Sequence, residues 1–279
     1  MLLDLLLEPL SYGFMQKAFL AAILASLNCA SIGTYLVLRR MSFMGEALSH
    51  TILPGVVFAY LRGFQMFVGA LGASLLTALG VSFFVRKNHL REDSAIGVVL
   101  STMLALGIAM MSYTQSFKDF THILFGSILG VDAKDLWLIG AITCLVLGVM
   151  YALHKELELS SFDNTYAKLI GTRPSALRTL LLILISLSVV SAVKMVGTLL
   201  TTALLIIPAV TAQALAKTLK GILFLSSFFA LAASLIGLYI SFYWPIASGA
   251  AIVLSTSVFF LFAYTYKGLK GFKSYPHFS

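Results

Sequence analysis

Charge is what this sequence has least of. Only 11% of its 279 residues are Asp, Glu, Lys or Arg, against 59% that are hydrophobic, and a soluble domain needs about 25% charged residues to clothe its surface. Most of the accessible area must therefore meet lipid, which excludes a soluble enzyme, a nucleic-acid binder and a disordered linker. Cysteine is nearly absent too. Cys29 and Cys144 stand far apart in apolar segments with no CxxC partner, so neither a disulfide framework nor a thiolate zinc site is indicated, and both are expected to be small buried apolar residues. The start, MLLDLLLEPLSYG, lacks the basic residues of a secretory signal, and a short amphipathic lead-in at a membrane surface is expected. No GxxxxGK(S/T) loop and no HExxH helix occurs, so the chain carries neither a nucleotide-hydrolysing nor a zinc-hydrolase signature.

In place of charge stand long uncharged runs: Ala18 to Leu38, Ala47 to Leu61, Gly63 to Val85, Ser94 to Phe117, Leu136 to His154, Thr179 to Val193, Met195 to Ala216 and Gly221 to Tyr266. A helix needs about 20 residues to cross about 30 Å of hydrocarbon, and most of these runs qualify. The last is long enough for two helices, with Tyr243-Trp244-Pro245 as the turn between them. The fold class is thus all-α, a polytopic transmembrane helical bundle filling residues 1–279 as a single domain. Nine spans result, or eight, because the Ala47 run is short and Val193-Lys194-Met195 is a weak boundary. Alternation puts Arg39, Arg40, Arg86, Lys87, Arg91, Lys155, Lys168, Arg173, Arg178, Lys217, Lys220, Lys267, Lys270 and Lys273 on one side, 14 of the 19 basic residues. Basic loops stay in the cytoplasm, so the N-terminus is expected outside and the C-terminus inside. The formal net charge of +8 then reflects topology and lipid headgroups.

Small residues at four-residue spacing, such as Gly69 with Ala73 and Ala70 with Ser74, along with Gly107 and Gly237, would let helices approach closely in lipid. THILFGSILGV (Thr121 to Val131) is apolar but too short to cross, and reads as a re-entrant or interfacial helix at the outer face. Asp119, His122 and Asp132 beside it are candidate contacts for an entering cation. His89, His154 and His277 fall in loops or the tail and read as surface histidines. Asn28 in the first span and Gln213 in the seventh are expected to hydrogen-bond between helices, with Asn28 also a candidate to line a path.

Two places break the apolar pattern. In MGEALSHTILPG, Glu46 and His50 are four residues apart and share one helix face, where an ionised carboxylate is costly unless paired, hydrated or metal-bound. The pair either satisfies itself within the bundle or contacts a cation in a transport path, a carboxylate and an imidazole suiting Mn, Fe or Zn. Pro54 and Gly55 just beyond can open the helix ladder beside them. The second place is Lys155 to Pro174, the longest polar interval, expected in the cytoplasm. Asp163, Ala167 and Gly171 fall on one face of a short helix there, with Ser161 or Asp163 as its cap. It is either a connecting helix or a docking helix for a partner, and the lack of any ATPase signature means that an ATP-driven pump would need a partner subunit.

Taken together, LVLRRMSFMGEALSHTILPGVVFAYL (36–61), ILFGSILGV (123–131), SFDNTYAKLIGTRP (161–174) and VKMVGTLLTTALLIIPAVTAQALA (193–216) resemble the permease subunit of the manganese, zinc and iron group of ATP-binding-cassette importers. The resemblance covers nearly the whole chain. It implies a permease of the bacterial inner membrane that is not itself an enzyme and that carries Mn, Zn or Fe ions as substrate, with no tightly bound cofactor. It also implies a second permease copy, a cytoplasmic ATP-binding subunit dimer and an extracytoplasmic metal-binding solute-binding protein. By the same resemblance Glu46 and His50 belong to the translocation path, Glu46 standing where relatives usually have aspartate. Residues Phe162 to Gly171, including Asp163 and Ala167, match the region that couples to the ATPase, and eight spans are commonly described. Two other readings remain: a siderophore or corrinoid permease, which would leave the Glu46 and His50 pair without a task, and a stand-alone ion-coupled carrier or channel. The latter calls for ionisable residues on several spans and an inverted repeat, and neither is evident.

Overall fold

The computed structural model describes residues 8–88, 90–114, 128–162 and 173–269. His89, Asp119, His122, Asp163, Ala167, Gly171 and His277 lie outside the described residues, as does most of the 121–131 segment. The helices are α1 (Gly13–Leu38), α2 (Phe43–Thr51), α3 (Leu53–Arg62), α4 (Met66–Asn88), α5 (Glu92–Thr114), α6 (Ala133–Ala152), α7 (His154–Phe162), α8 (Pro174–Leu215), α9 (Leu219–Tyr243) and α10 (Ser248–Leu269). Two 3-10 turns, Pro9–Ser11 and Ile128–Gly130, precede α1 and α6. Seven of these helices are long and apolar enough to cross a membrane singly.

The longest of them, α8, is two helices joined end to end. Its 42 residues would extend about 63 Å if straight, but Gly197 inside it has φ 81° and ψ 170°, a backbone open to glycine alone. Ser188 donates to Asn28 on α1, and Leu205 packs on Gly33 of the same helix. Those two α1 positions are about 7.5 Å apart along the axis, whereas Ser188 and Leu205 would be about 25 Å apart on a straight helix. The chain therefore folds back at Gly197 into two antiparallel arms, 174–196 and 198–215, and the weak boundary at Val193-Lys194-Met195 is a real tip. α2 and α3, of 9 and 10 residues, are each too short to cross alone. Tyr243-Trp244-Pro245 is the expected turn, lying between α9 and α10.

Neighbouring helices run antiparallel and are stitched by hydroxyls. Ser26 bonds Ser234 at 2.6 Å and Ser226 donates to the Ala30 carbonyl at 3.1 Å, joining α1 to α9. Ser82 bonds Thr179 at 2.8 Å and Ser186 donates to the Ser74 carbonyl at 3.3 Å, joining α4 to the first arm of α8. In hydrocarbon such short polar side chains satisfy one another without a charge. α1 and α8 form the buried centre, and α5, α6 and α10 are the most exposed spans. The small-residue expectation holds at some positions only: Gly55 and Gly69 meet backbone to backbone, and Gly107 and Gly237 seat Leu53 and Ile252, while Gly72 and Gly97 face open space. Cys29 is buried as expected, but Cys144 is exposed, since α6 turns that face outward.

Arg39, Arg178 and Lys220 lie at one end of the bundle, here called the basic end, and Arg62 and Lys194 at the other. α1 closes at the basic end with Arg40 N–H donating to Val37 and Met41 N–H to Leu36, at 3.1 and 2.9 Å. These are the paired bonds of a Schellman stop, with Arg40 at φ 59° in the left-handed position that glycine usually fills.

Candidate functional site

The turn at Arg40 releases the chain directly into α2. Phe43 and Glu46 are exposed and His50 is half-exposed, while Met44, Gly45, Ala47, Leu48 and Ser49 are buried. Residues 43, 46 and 50 are separated by about a helical turn each, so a single stripe of α2 is left uncovered and both ionisable groups lie on it. Among the described residues neither Glu46 nor His50 takes part in a hydrogen bond or ion pair. That disfavours mutual satisfaction within the bundle, one of the two readings open in the sequence.

The buried side of α2 is held by glycine contacts. Gly45 receives Leu205 Cδ1, which a Cβ at that position would meet at 3.0 Å, and a Cβ at Gly33 would overlap the Leu205 carbonyl. The second arm of α8 thus clamps α1 and α2 through one leucine. α3 is held by other partners. A Cβ at Gly55 would overlap the Gly69 carbonyl of α4, and Gly107 of α5 seats Leu53. Between the two segments the helix is interrupted at Ile52, with Pro54 in the first turn of α3. Proline lacks an N–H and its ring clashes with the preceding turn, so the interruption falls beside His50, as the sequence suggested. Pro54 itself is buried.

Asn28 is fully buried and accepts a hydrogen bond from Ser188 at 2.8 Å, while its Nδ2 has no partner. It makes the expected interhelical bond. Gln213 was expected to do likewise but is exposed and makes no side-chain hydrogen bond among the described residues. Asp132 is exposed and precedes α6 without capping it. Ser161 is within α7, donating to the Leu157 carbonyl at 2.6 Å, and the helix it was expected to cap lies outside the described residues. Phe162 is the last residue of α7.

Several contacts were missed in the sequence. His154 is half-buried with Nδ1 3.2 Å from the Tyr35 hydroxyl. Arg39 donates to Ser160 and Ser161 at 2.6 and 3.0 Å, tying the end of α1 to the helix that enters the polar interval. Only the adjacent Ser160-Ser161 hydroxyls hinted at this. Burial holds the Arg39 guanidinium below its ordinary pKa, with Glu92 pulling it back up and Arg178 pushing it down. At the opposite end Lys194, on the tip of α8, pairs with Asp135 and lies 5.8 Å over the Phe67 ring.

Among the described residues no three His, Cys, Asp or Glu side chains converge. Glu46 and His50 would bring two donors to a cation, too few for a permanent tetrahedral site and suited to transient contact completed by water.

The profile described as the ABC 3 transport family matches residues 11–267. The manganese transport system membrane protein MntC of Listeria innocua is 39% identical over 268 residues, 96% of each chain. The chelated iron transport system membrane protein YfeD of Yersinia pestis is 33% identical over 277 residues, covering 98% of this chain and 92% of that one. The solved structure titled PsaBC from Streptococcus pneumoniae in complex with Fab superposes with a TM-score of 0.84 and 35% identity, over 97% of this chain and all of that chain.

Proposed function

The chain belongs to the ABC 3 transport family, and from that premise we propose that the uncovered stripe of α2 is where it passes its substrate across the membrane. The chain is the membrane permease subunit of an ATP-binding-cassette importer for divalent transition metals, and ATP hydrolysis belongs to another subunit. Manganese, iron and zinc are its candidate substrates. The observation that carries the site is the exposure of Glu46 together with its lack of any partner among the described residues. A charged group within a membrane span needs a charge, water or a second surface beside it, and a passing cation supplies the first. Imidazole nitrogen from His50 one turn on completes a mixed O/N pair suited to first-row metals.

An open stripe at membrane depth also calls for cover, and a second permease copy closing over α2 provides it. The basic end is the cytoplasmic side, with the N-terminus outside. α7 and the start of α8 lie at that end, and Phe162, Asp163, Ala167 and Gly171 are the proposed contacts for an ATP-binding subunit dimer, with the Lys194 end facing the metal-delivering binding protein. Asp119, His122 and Asp132 are candidates for first contact with the ion at that end. Asn28 and Pro54 border the path.

The test is uptake of manganese and zinc per folded permease. Glu46→Gln should abolish it, Glu46→Asp should retain a measurable fraction, and His50→Ala should impair it. Unchanged uptake in Glu46→Gln would remove the carboxylate from the path while leaving the family assignment untouched.

A further inference from the structure

At the basic end a cavity of about 400 Å³ opens between the close of α1, the start of α5, the last turns of α7 and the start of α8. Among the described residues three arginines line it, Arg39, Arg40 and Arg178, against one carboxylate, Glu92. Their satisfaction is incomplete in a particular way. Arg39 donates to Ser160 and Ser161, neutral acceptors that leave its charge uncancelled. Arg178 Nη2 is 3.0 Å from Glu92 Oε1, yet its Nε and Nη2 are buried without a hydrogen-bond partner, so the approach is a charge contact too oblique to satisfy the guanidinium. Arg40 is exposed and unpaired among the described residues, and its φ of 59° is a conformation arginine holds only at a cost. As an exposed lining residue Arg40 stands at the rim. Pro174, the first residue of α8, lines the same space, adding the positive end of a long helix.

We infer that this cavity binds a phosphate-class oxyanion, either the headgroup of an anionic phospholipid of the adjoining leaflet or a free phosphate. Guanidinium forks match tetrahedral oxyanions in geometry as well as charge, and a concave site lined by three arginines and one carboxylate among the described residues has the surplus positive charge that such an anion completes. A basic cavity between helices at the edge of the membrane is also the setting in which anionic headgroups are selected. The bound anion joins α1, α5, α7 and α8, which Arg39 and Arg178 link only in pairs. This site goes beyond the transport reading and does not depend on which metal is carried.

The full-length permease in detergent provides the test. Inorganic phosphate is compared with chloride at equal ionic strength, and short-chain phosphatidylglycerol with short-chain phosphatidylcholine, following the thermal unfolding midpoint and, for lipid, retention in native mass spectrometry. A saturable rise in the midpoint is expected with phosphate, phosphatidylglycerol or both, with apparent affinity weakened about tenfold in Arg178→Gln and in Arg40→Gln. A response to phosphate by itself assigns a free oxyanion, and a response confined to phosphatidylglycerol assigns the headgroup. Arg40→Gln removes no hydrogen bond or ion pair among the described residues, so it tests the site even where Arg178→Gln fails to fold. Absence of any response, or a response unchanged in Arg40→Gln, overturns the inference. So does loss of ATPase association in these variants without loss of anion binding in the isolated permease, which would make the arginines a docking contact for a protein carboxylate.

Discussion

Asn28, on a helix of membrane length, and Glu46, on the short α2, are both polar residues in apolar surroundings, and the protein treats them oppositely. Asn28 is sealed in the centre, bonded to Ser188 and flanked by the Ser26 to Ser234 pair that binds α1 to α9. Glu46 lies on an uncovered stripe with no partner among the described residues. A satisfied polar group deep in a bundle specifies which helices pack together. An unsatisfied, open one contributes nothing to that packing, and its presence has to be explained by what it meets during transport. The contrast separates two uses of polarity in one protein: seams where hydroxyls and the Asn28 carbonyl oxygen are paired, and a proposed path where a carboxylate and an imidazole have no partner among the described residues.

The sharpest way to break this contrast is Glu46→Leu. If the carboxylate serves transport and not folding, metal uptake falls to background while folded yield and thermal midpoint stay level or rise, because an open charge has been replaced by an apolar side chain. A parallel loss of folded protein would instead show that Glu46 belongs to a seam. Gly33→Val attacks the clamp beneath the path. The new side chain overlaps the Leu205 carbonyl, and since backbone cannot yield as a side chain tip can, destabilisation of at least about 2 to 3 kcal/mol is expected, read as lost monodisperse permease after extraction. Asn28→Ala is milder: one interhelical bond disappears and Ser188 can turn to its own backbone, so about 1 kcal/mol of stability is lost and uptake per folded molecule is retained. Lost uptake at full stability would move Asn28 into the path. Lys194→Met is the smallest. Its pair with Asp135 is partly exposed, and exposed ion pairs contribute under about 1 kcal/mol, so a thermal midpoint shift of several degrees would reveal a latch where only a surface pair is expected.

Much of this was legible in the sequence because lipid imposes a length rule. Uncharged runs of near-membrane length became helices, and the Tyr243-Trp244-Pro245 turn and the break beside Pro54 fell where residue type placed them. The candidate path residues stood out for a related reason, since in a run without charge a carboxylate one turn from a histidine is conspicuous. What could not be read is which way each helix turns. Cys144 faces outward and Gln213 is exposed, because rotation about a helix axis is set by neighbouring spans, and an all-apolar helix carries little pattern to fix it. Contacts across large separations, such as Tyr35 with His154 and Arg39 with Ser160, arise only once distant segments are packed. The fold at Gly197 was a boundary in the sequence, but a glycine among apolar residues does not announce that it carries a full reversal in a single residue.

That reversal bears on how the protein is made. With Gly197 as the only non-helical residue between two arms, no linker remains to let one arm settle in the bilayer before the other. Lys194 sits at the tip, and leaving it at mid-membrane on a half-inserted segment would cost about 3 kcal/mol on an insertion scale. Residues 174–215 are therefore expected to enter the bilayer together as a hairpin, with α9 packing against α1 through Ser226 and Ser234 afterwards.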